Sequence, residues 1–219
     1  HKKTVTSCTI APDGSRFATV SWEGTTKLWR LPEGEILRTL DAHAGGIASL
    51  AGPAGTLIVP VTRDGVGRLI DATDGTTLRT IDLYTPEVRS AALSADGTYL
   101  ADTGADSTMR IWNTRDGSLA AAADRLATSL RCCTFLPDGS ALVTGGWDGI
   151  VRLFRVPDLN PLRTLTGHTS VVTCCTVSGD GTLLVTGSND TTVRLWHIAD
   201  EDTEAYAVLG GFRSEVGAV

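Results

Sequence analysis

Short runs of alternating or β-branched residues follow one another along the whole chain, each closed by a turn signal. The run Val171-Val172-Thr173-Cys174-Cys175-Thr176-Val177 is rich in β-branched residues and ends at Gly179-Asp180-Gly181, the turn expected of a hairpin. Residues 183–186 predict a second strand. After a turn at Ser188-Asn189-Asp190, the run Thr192-Val193-Arg194-Leu195-Trp196 alternates between faces as a half-buried strand does. Residues 205–209 predict a fourth. Helix-period patterns of useful length are absent, and the alanine run at 120–123 falls where a fourth strand belongs, predicting a weak outer strand.

The same sequence of signals repeats. Asp96-Gly97, Asp138-Gly139 and Asp180-Gly181 recur every 42 residues, and Asp13-Gly14 and Ala54-Gly55 extend the series backwards with one residue missing. A second column runs through Trp29, Ile70, Trp112, Phe154 and Trp196, and a third through Glu23, Asp64, Asp106, Asp148 and Asp190. Three columns sharing one period point to stacked supersecondary units of about 40 to 45 residues, the length of a four-stranded propeller blade.

The stretch Gly167-His168 followed by Leu183-Leu184-Val185-Thr186-Gly187-Ser188-Asn189-Asp190-Thr191-Thr192-Val193-Arg194-Leu195-Trp196 resembles a WD-repeat unit. Units of this kind span residues 1–40, 41–81, 82–123, 124–165 and 166–209, with 210–219 opening a sixth. The resemblance implies an all-β propeller of four-stranded antiparallel blades, five of them complete, and a ring of about seven. On that reading the chain is a piece of a longer protein. The Trp-Asp pair behind the family name has drifted: Trp29, Trp112 and Trp196 are followed by Arg30, Asn113 and His197, and only Asp71 keeps the second letter.

The resemblance also implies a buried tetrad of His, Ser or Thr, Asp and Trp in each blade. The fifth unit retains all four as His168, Thr186, Asp190 and Trp196, and a carboxylate held under a blade needs such donors. The first unit keeps the pattern with a longer acid, as His1, Thr19, Glu23 and Trp29. The second keeps His43 and Asp64 but has Pro60 and Ile70 in the other places. The third has Asp102 where a hydroxyl belongs, setting two acids close together with Asp106. Looser middle blades are the expectation. A hydroxyl, an imidazole and a carboxylate are also the ingredients of a nucleophilic triad. Their recurrence at the repeat period favours a structural role, because stacked blades require it and catalysis does not.

The composition narrows the function classes. Nineteen Lys and Arg against 25 Asp and Glu give a net charge of −6, which repels phosphate backbones and argues against nucleic acid. No apolar stretch approaches the roughly 20 residues of a membrane helix. Five cysteines at 8, 132, 133, 174 and 175 form neither a disulfide framework nor a zinc spacing, which favours a reducing, intracellular and cytoplasmic setting. Cys8, Cys133 and Cys175 share a column with Ser49 and Ala91, as expected of small residues packing on an innermost strand. The acceptor pattern at Asn189-Asp190-Thr191 overlaps a structural turn and is discounted for glycosylation. No catalytic residues, cofactor or metal are expected.

All five tryptophans fall in two columns. Trp29, Trp112 and Trp196 take the core position, whereas Trp22 and Trp147 sit one residue before the turn acid, where other units have Arg63, Ala105 and Asn189. Three units manage without an aromatic there, so packing does not require one. In WD-repeat propellers this turn reaches the narrower face, beside the start of the innermost strand. Trp22, Arg63, Glu87, Arg89, Arg131 and Trp147 are therefore the candidate partner-binding residues, since exposed Trp and Arg most often carry interface energy. The alternative is that each Trp folds over its neighbouring blade. Three arginines between two aromatics favour an acidic or phosphorylated peptide. The expected function is a non-catalytic protein–protein interaction scaffold. A sensor or substrate-receptor module of a kinase, nucleotide-binding switch or ubiquitin ligase is the alternative, and a propeller enzyme the least favoured.

Overall fold

The computed structural model describes residues 1–11, 13–41, 47–51, 57–61, 65–83, 88–124, 126–199 and 203–218, with the backbone alone for 47–51 and 57–60. Among the described residues, twenty strands pair as five four-stranded antiparallel sheets. The first holds Val5–Ile10 (β1), Arg16–Ser21 (β2), Thr25–Arg30 (β3) and Ile36–Asp41 (β4). The second holds Ile47–Ala51 (β5), Leu57–Val61 (β6), Val66–Asp71 (β7) and Thr77–Asp82 (β8). Val88–Leu93 (β9), Tyr99–Gly104 (β10), Met109–Asn113 (β11) and Leu119–Ala123 (β12) make the third. Leu130–Phe135 (β13), Ala141–Gly146 (β14), Val151–Arg155 (β15) and Pro161–Leu165 (β16) make the fourth. The fifth is Val172–Val177 (β17), Leu183–Ser188 (β18), Val193–His197 (β19) and Ala207–Leu209 (β20).

Within each sheet the strands pair in chain order, so every blade is a meander. The Asp–Gly turns have a common chemistry. The carboxylates of Asp96, Asp138 and Asp180 accept from both the backbone N–H and the hydroxyl of the residue two further on, Thr98, Ser140 and Thr182. Such local bonds fix the turn before any tertiary contact forms. The alanine run forms β12, which pairs with β11 through a register shift between Ile111 and Trp112. The same shift recurs at Trp29, Ile70 and Phe154, so the tryptophan column lies opposite a bulge in the fourth strand of four blades.

The innermost strands pack side by side in the order β1, β5, β9, β13 and β17, and the core lies between successive sheets. One apolar cluster joins Leu69 and Ile81 of the second blade to Leu93, Leu100 and Trp112 of the third; another joins Met109 and Ile111 to Leu130, Leu142 and Phe154. Burial of these faces on one another is the main favourable term for the array. Among the described residues no helix is long and apolar enough to cross a membrane.

The cysteine column does not behave as one packing position. Cys133 is buried and donates its backbone N–H to Ser90 Oγ of the preceding blade at 3.1 Å, Cys175 is half-buried, and Cys8 is exposed. The reason is the neighbourhood of each strand. Strand β13 is flanked by β9 and β17, whereas β1 packs on β2 and β5, and its outward face meets solvent.

Leu100→Ala, which empties a fully buried site between two blades, is expected to lose about 2–5 kcal/mol in urea denaturation. Leu162→Ala, on the solvent side of β16, should stay within about 0.5 kcal/mol of the parent.

Candidate functional site

In the four blades where it is described, the periodic acid stands at the turn between the second and third strands, and its donors are not the same in all of them. In the fifth blade His168 Nδ1 lies 2.8 Å from Asp190 Oδ2, His168 Nε2 lies 2.9 Å from Thr186 Oγ1, and Trp196 Nε1 donates to Thr186 Oγ1 at 2.9 Å. The direction of the chain of bonds follows from its ends. Indole N–H only donates, so the Thr186 hydroxyl accepts from it and donates its own proton to His168 Nε2; Nδ1 then carries the imidazole proton and donates to the carboxylate. Asp190 also accepts from Thr169 N at 3.0 Å, Thr192 N at 2.9 Å and Thr192 Oγ1 at 2.6 Å.

The electrostatics agree with that direction. Burial pushes the Asp190 carboxyl up, but the Thr192 hydroxyl, His168 and the Thr169 N–H outweigh it and hold the pKa at about 2. Burial lowers the His168 pKa against the pull of Asp190, which favours neutral imidazole. Thr186 is fully buried and its hydroxyl is occupied on both sides, so this trio ties strands together and offers no accessible nucleophile.

The first blade repeats the pattern through Glu23. His1 Nδ1 lies 2.6 Å from Glu23 Oε1 and Nε2 lies 2.7 Å from Thr19 Oγ1, while Trp29 Nε1 donates to Thr19 Oγ1 at 2.8 Å. The extra methylene of Glu is accommodated because its second oxygen takes the Lys2 backbone N–H.

The third and fourth blades depart from the implied tetrad, and arginine takes the place of histidine. Arg152 grips Asp148 with both terminal nitrogens, at 2.6 and 3.2 Å, in a blade with Phe154 at the tryptophan position. Arg110 reaches Asp106 at 3.4 Å and Asp102 at 3.7 Å, separating the two acids with one cation. The acid side chains are 6% exposed for Asp190 and 15% for Glu23, but 28% for Asp148 and 35% for Asp106. A histidine partner therefore goes with a buried acid, and an arginine partner with one at the surface. Sequence reasoning missed these arginines, although Arg110, Arg152 and Arg194 recur four residues after the acid. His43, Arg63, Asp64 and Glu87 lie outside the described residues, as does the side chain of Pro60; Ile70 is buried in the core.

Asp102 is the unusual group. It is fully buried, accepts the Trp112 indole N–H at 2.5 Å, and leaves Oδ1 without a hydrogen bond. Burial pushes its pKa up to about 7, more than Trp112 and Arg110 can offset.

Of the candidate binding residues, Trp22 and Trp147 are 41% and 54% exposed. Their backbone N–H groups donate to Thr4 O and Ser129 O, both at 3.0 Å, which pins each turn beside the start of the innermost strand of its own blade. Arg131 on β13 is exposed and Arg89 on β9 half-buried. Among the described residues no group of three His, Cys, Asp or Glu stands where it could hold a metal ion.

Two outcomes are expected. Asp190→Ala strands the imidazole and two threonine donors and should cost on the order of 1–3 kcal/mol, read by chemical denaturation. For Asp102 the folded pKa lies above the unfolded value, so the fold holds the proton more tightly. Its contribution is most favourable below about pH 4 and is lost as pH rises towards 7. Asp102→Asn, which keeps an acceptor for Trp112, should therefore gain melting temperature relative to the parent between pH 4 and 8; a constant difference across that range would contradict the assignment.

The model of the WD domain, G-beta repeat, matches four segments, residues 1–30, 75–113, 118–155 and 159–197, together well over half of the chain. Most of the second unit lies between matches, where Pro60 and Ile70 replace the hydroxyl and the tryptophan. A stretch of 47 residues is 38% identical to the U3 small nucleolar RNA-associated protein 13 of Saccharomyces cerevisiae. That match covers 22% of this chain and 6% of the yeast protein. The repeat match, together with a propeller-like arrangement of four-stranded antiparallel blades, shows that the chain belongs to the WD domain, G-beta repeat family.

Proposed function

We propose that this protein is a non-catalytic interaction scaffold that docks protein segments on the face carrying Trp22 and Trp147. The observation that carries this reading is that two large aromatic side chains stand exposed at turns whose backbones are tied to the rigid inner strands. A fixed backbone lowers the ordering cost of binding, and exposed Trp with Arg is the pairing most often found at the energetic centre of interfaces. Arg131 lies on β13, whose start accepts the Trp147 turn, and supplies a guanidinium for an acidic or phosphorylated side chain. Arg63, Glu87, Arg89 and Trp22 extend the same surface in this reading.

The yeast relative is named for association with small nucleolar RNA. For the present chain the net charge of −6 favours a protein ligand over nucleic acid. Its five free thiols support an intracellular, cytoplasmic setting. A receptor module within a larger signalling protein would use the same face.

The blades fit a larger ring of about seven. Val5 and Ile10 of β1 are 47% and 63% exposed, while their counterparts Val88 and Leu93, and Leu130 and Phe135, are buried by the preceding blade. At the other side the Val216 carbonyl lies 3.9 Å from Cys174 Sγ, the contact that Val172 O makes with Cys132 Sγ.

Arrays of acidic and phosphorylated peptides, with a single-stranded RNA of mixed sequence as a control, provide the test. The parent chain should retain phosphorylated peptides over RNA, and Trp147→Ala or Arg131→Ala should weaken retention about tenfold or more. Retention of the same peptides at unchanged strength by both variants would remove this face from consideration.

A further inference from the structure

Where one blade follows another, the outermost strand of the first meets the turn before the outermost strand of the next. Arg38 on β4 donates to the carbonyls of Asp74 at 2.8 Å and Thr73 at 2.6 Å, and Arg79 on β8 donates to those of Asp116 at 3.1 Å and Arg115 at 2.8 Å. The next residue in each turn is a glycine with left-handed backbone, Gly75 at φ 82° and Gly117 at φ 77°. A Cβ on Gly75 would lie 3.2 Å from Arg38 Cδ and 3.0 Å from Leu40 Cδ2; on Gly117 it would lie 3.1 Å from Arg79 Cδ. The arginine stem thus fills the space that a side chain in the turn would need.

At the third junction both partners change together. Ala121 on β12 stands 42 residues after Arg79, and Leu159 stands 42 residues after Gly117. Leu159 keeps the left-handed backbone, at φ 56°, although that conformation is costly for a residue with a branched side chain. It is 6% exposed and belongs to the apolar cluster against which Ala121 packs. Hydrogen bonding to carbonyls has been exchanged for apolar filling, and the strained backbone persists because the leucine occupies the volume that an arginine takes elsewhere.

We propose that at the second and third junctions these positions form matched pairs, in which the Arg79 stem favours glycine opposite and Ala121 favours a bulky apolar residue. Arginine facing leucine clashes, and alanine facing glycine leaves a void. The pairing specifies the contact between these successive blades by rejecting a mismatched residue as well as by favouring the matched one. It is independent of what the opposite face binds.

Melting of the full chain in two exchange series tests this. Ala121→Arg and Leu159→Gly should each lower the melting temperature by about 3–10 °C, and the double variant should recover more than half of the summed loss. The reverse series at the second junction, Gly117→Leu, Arg79→Ala and their combination, should behave alike. A single variant that fails to fold while its double folds supports the pairing. Losses that simply add at either junction overturn it.

Discussion

Four of the blades hold a described carboxylate at the turn between the second and third strands, and much of the remaining structure follows from how that charge is satisfied. An ionised acid withdrawn from water without partners costs several kcal/mol, so the turn, the incoming chain and the third strand are drawn towards it as sources of donors. In the fifth blade the donors are an imidazole, a hydroxyl and two backbone N–H groups. In the fourth they come from a bidentate guanidinium on the neighbouring strand. The histidine solution reaches across to the segment entering the blade and links its start to its centre. The arginine solution is local, which leaves the acid nearer the surface.

Asp102 shows what happens when the pattern is broken one layer deeper. Moving an acid into the hydroxyl position keeps the tryptophan satisfied but removes the donor that a threonine would offer. Burial then shifts the group towards its neutral form. Arg110, set between Asp102 and Asp106, limits the penalty without removing it. The third and fourth blades are thus held by donors other than the fifth blade's, and the third carries a titrating group in its core.

Contacts between blades follow a similar logic of substitution. Arginine stems clamp the next turn at three junctions, through Arg38, Arg79 and Arg163, each donating to carbonyls of the following blade. At the junction with Ala121 the same space is filled by an apolar side chain.

Much of this was legible in the residue pattern. The 42-residue recurrence of Asp–Gly turns, acids and tryptophans determined the repeat length and the strands per unit, and the resemblance to WD-repeat units implied the antiparallel blades and the tetrads around Asp190 and Glu23, which rest on a fixed set of donor and acceptor types. Exposure of Trp22 and Trp147 was also foreseeable, from their irregular occupancy of a turn column. Only the tertiary structure decided which members of a column are buried. Cys8 and Cys133 share a repeat position but differ because one strand has inner neighbours on both sides and the other on one. It also decided that Arg152 replaces a histidine, and that Arg79 excludes a side chain at position 117. Those outcomes depend on distances between residues far apart in the chain, and a linear pattern carries the types of such partners but not their approach.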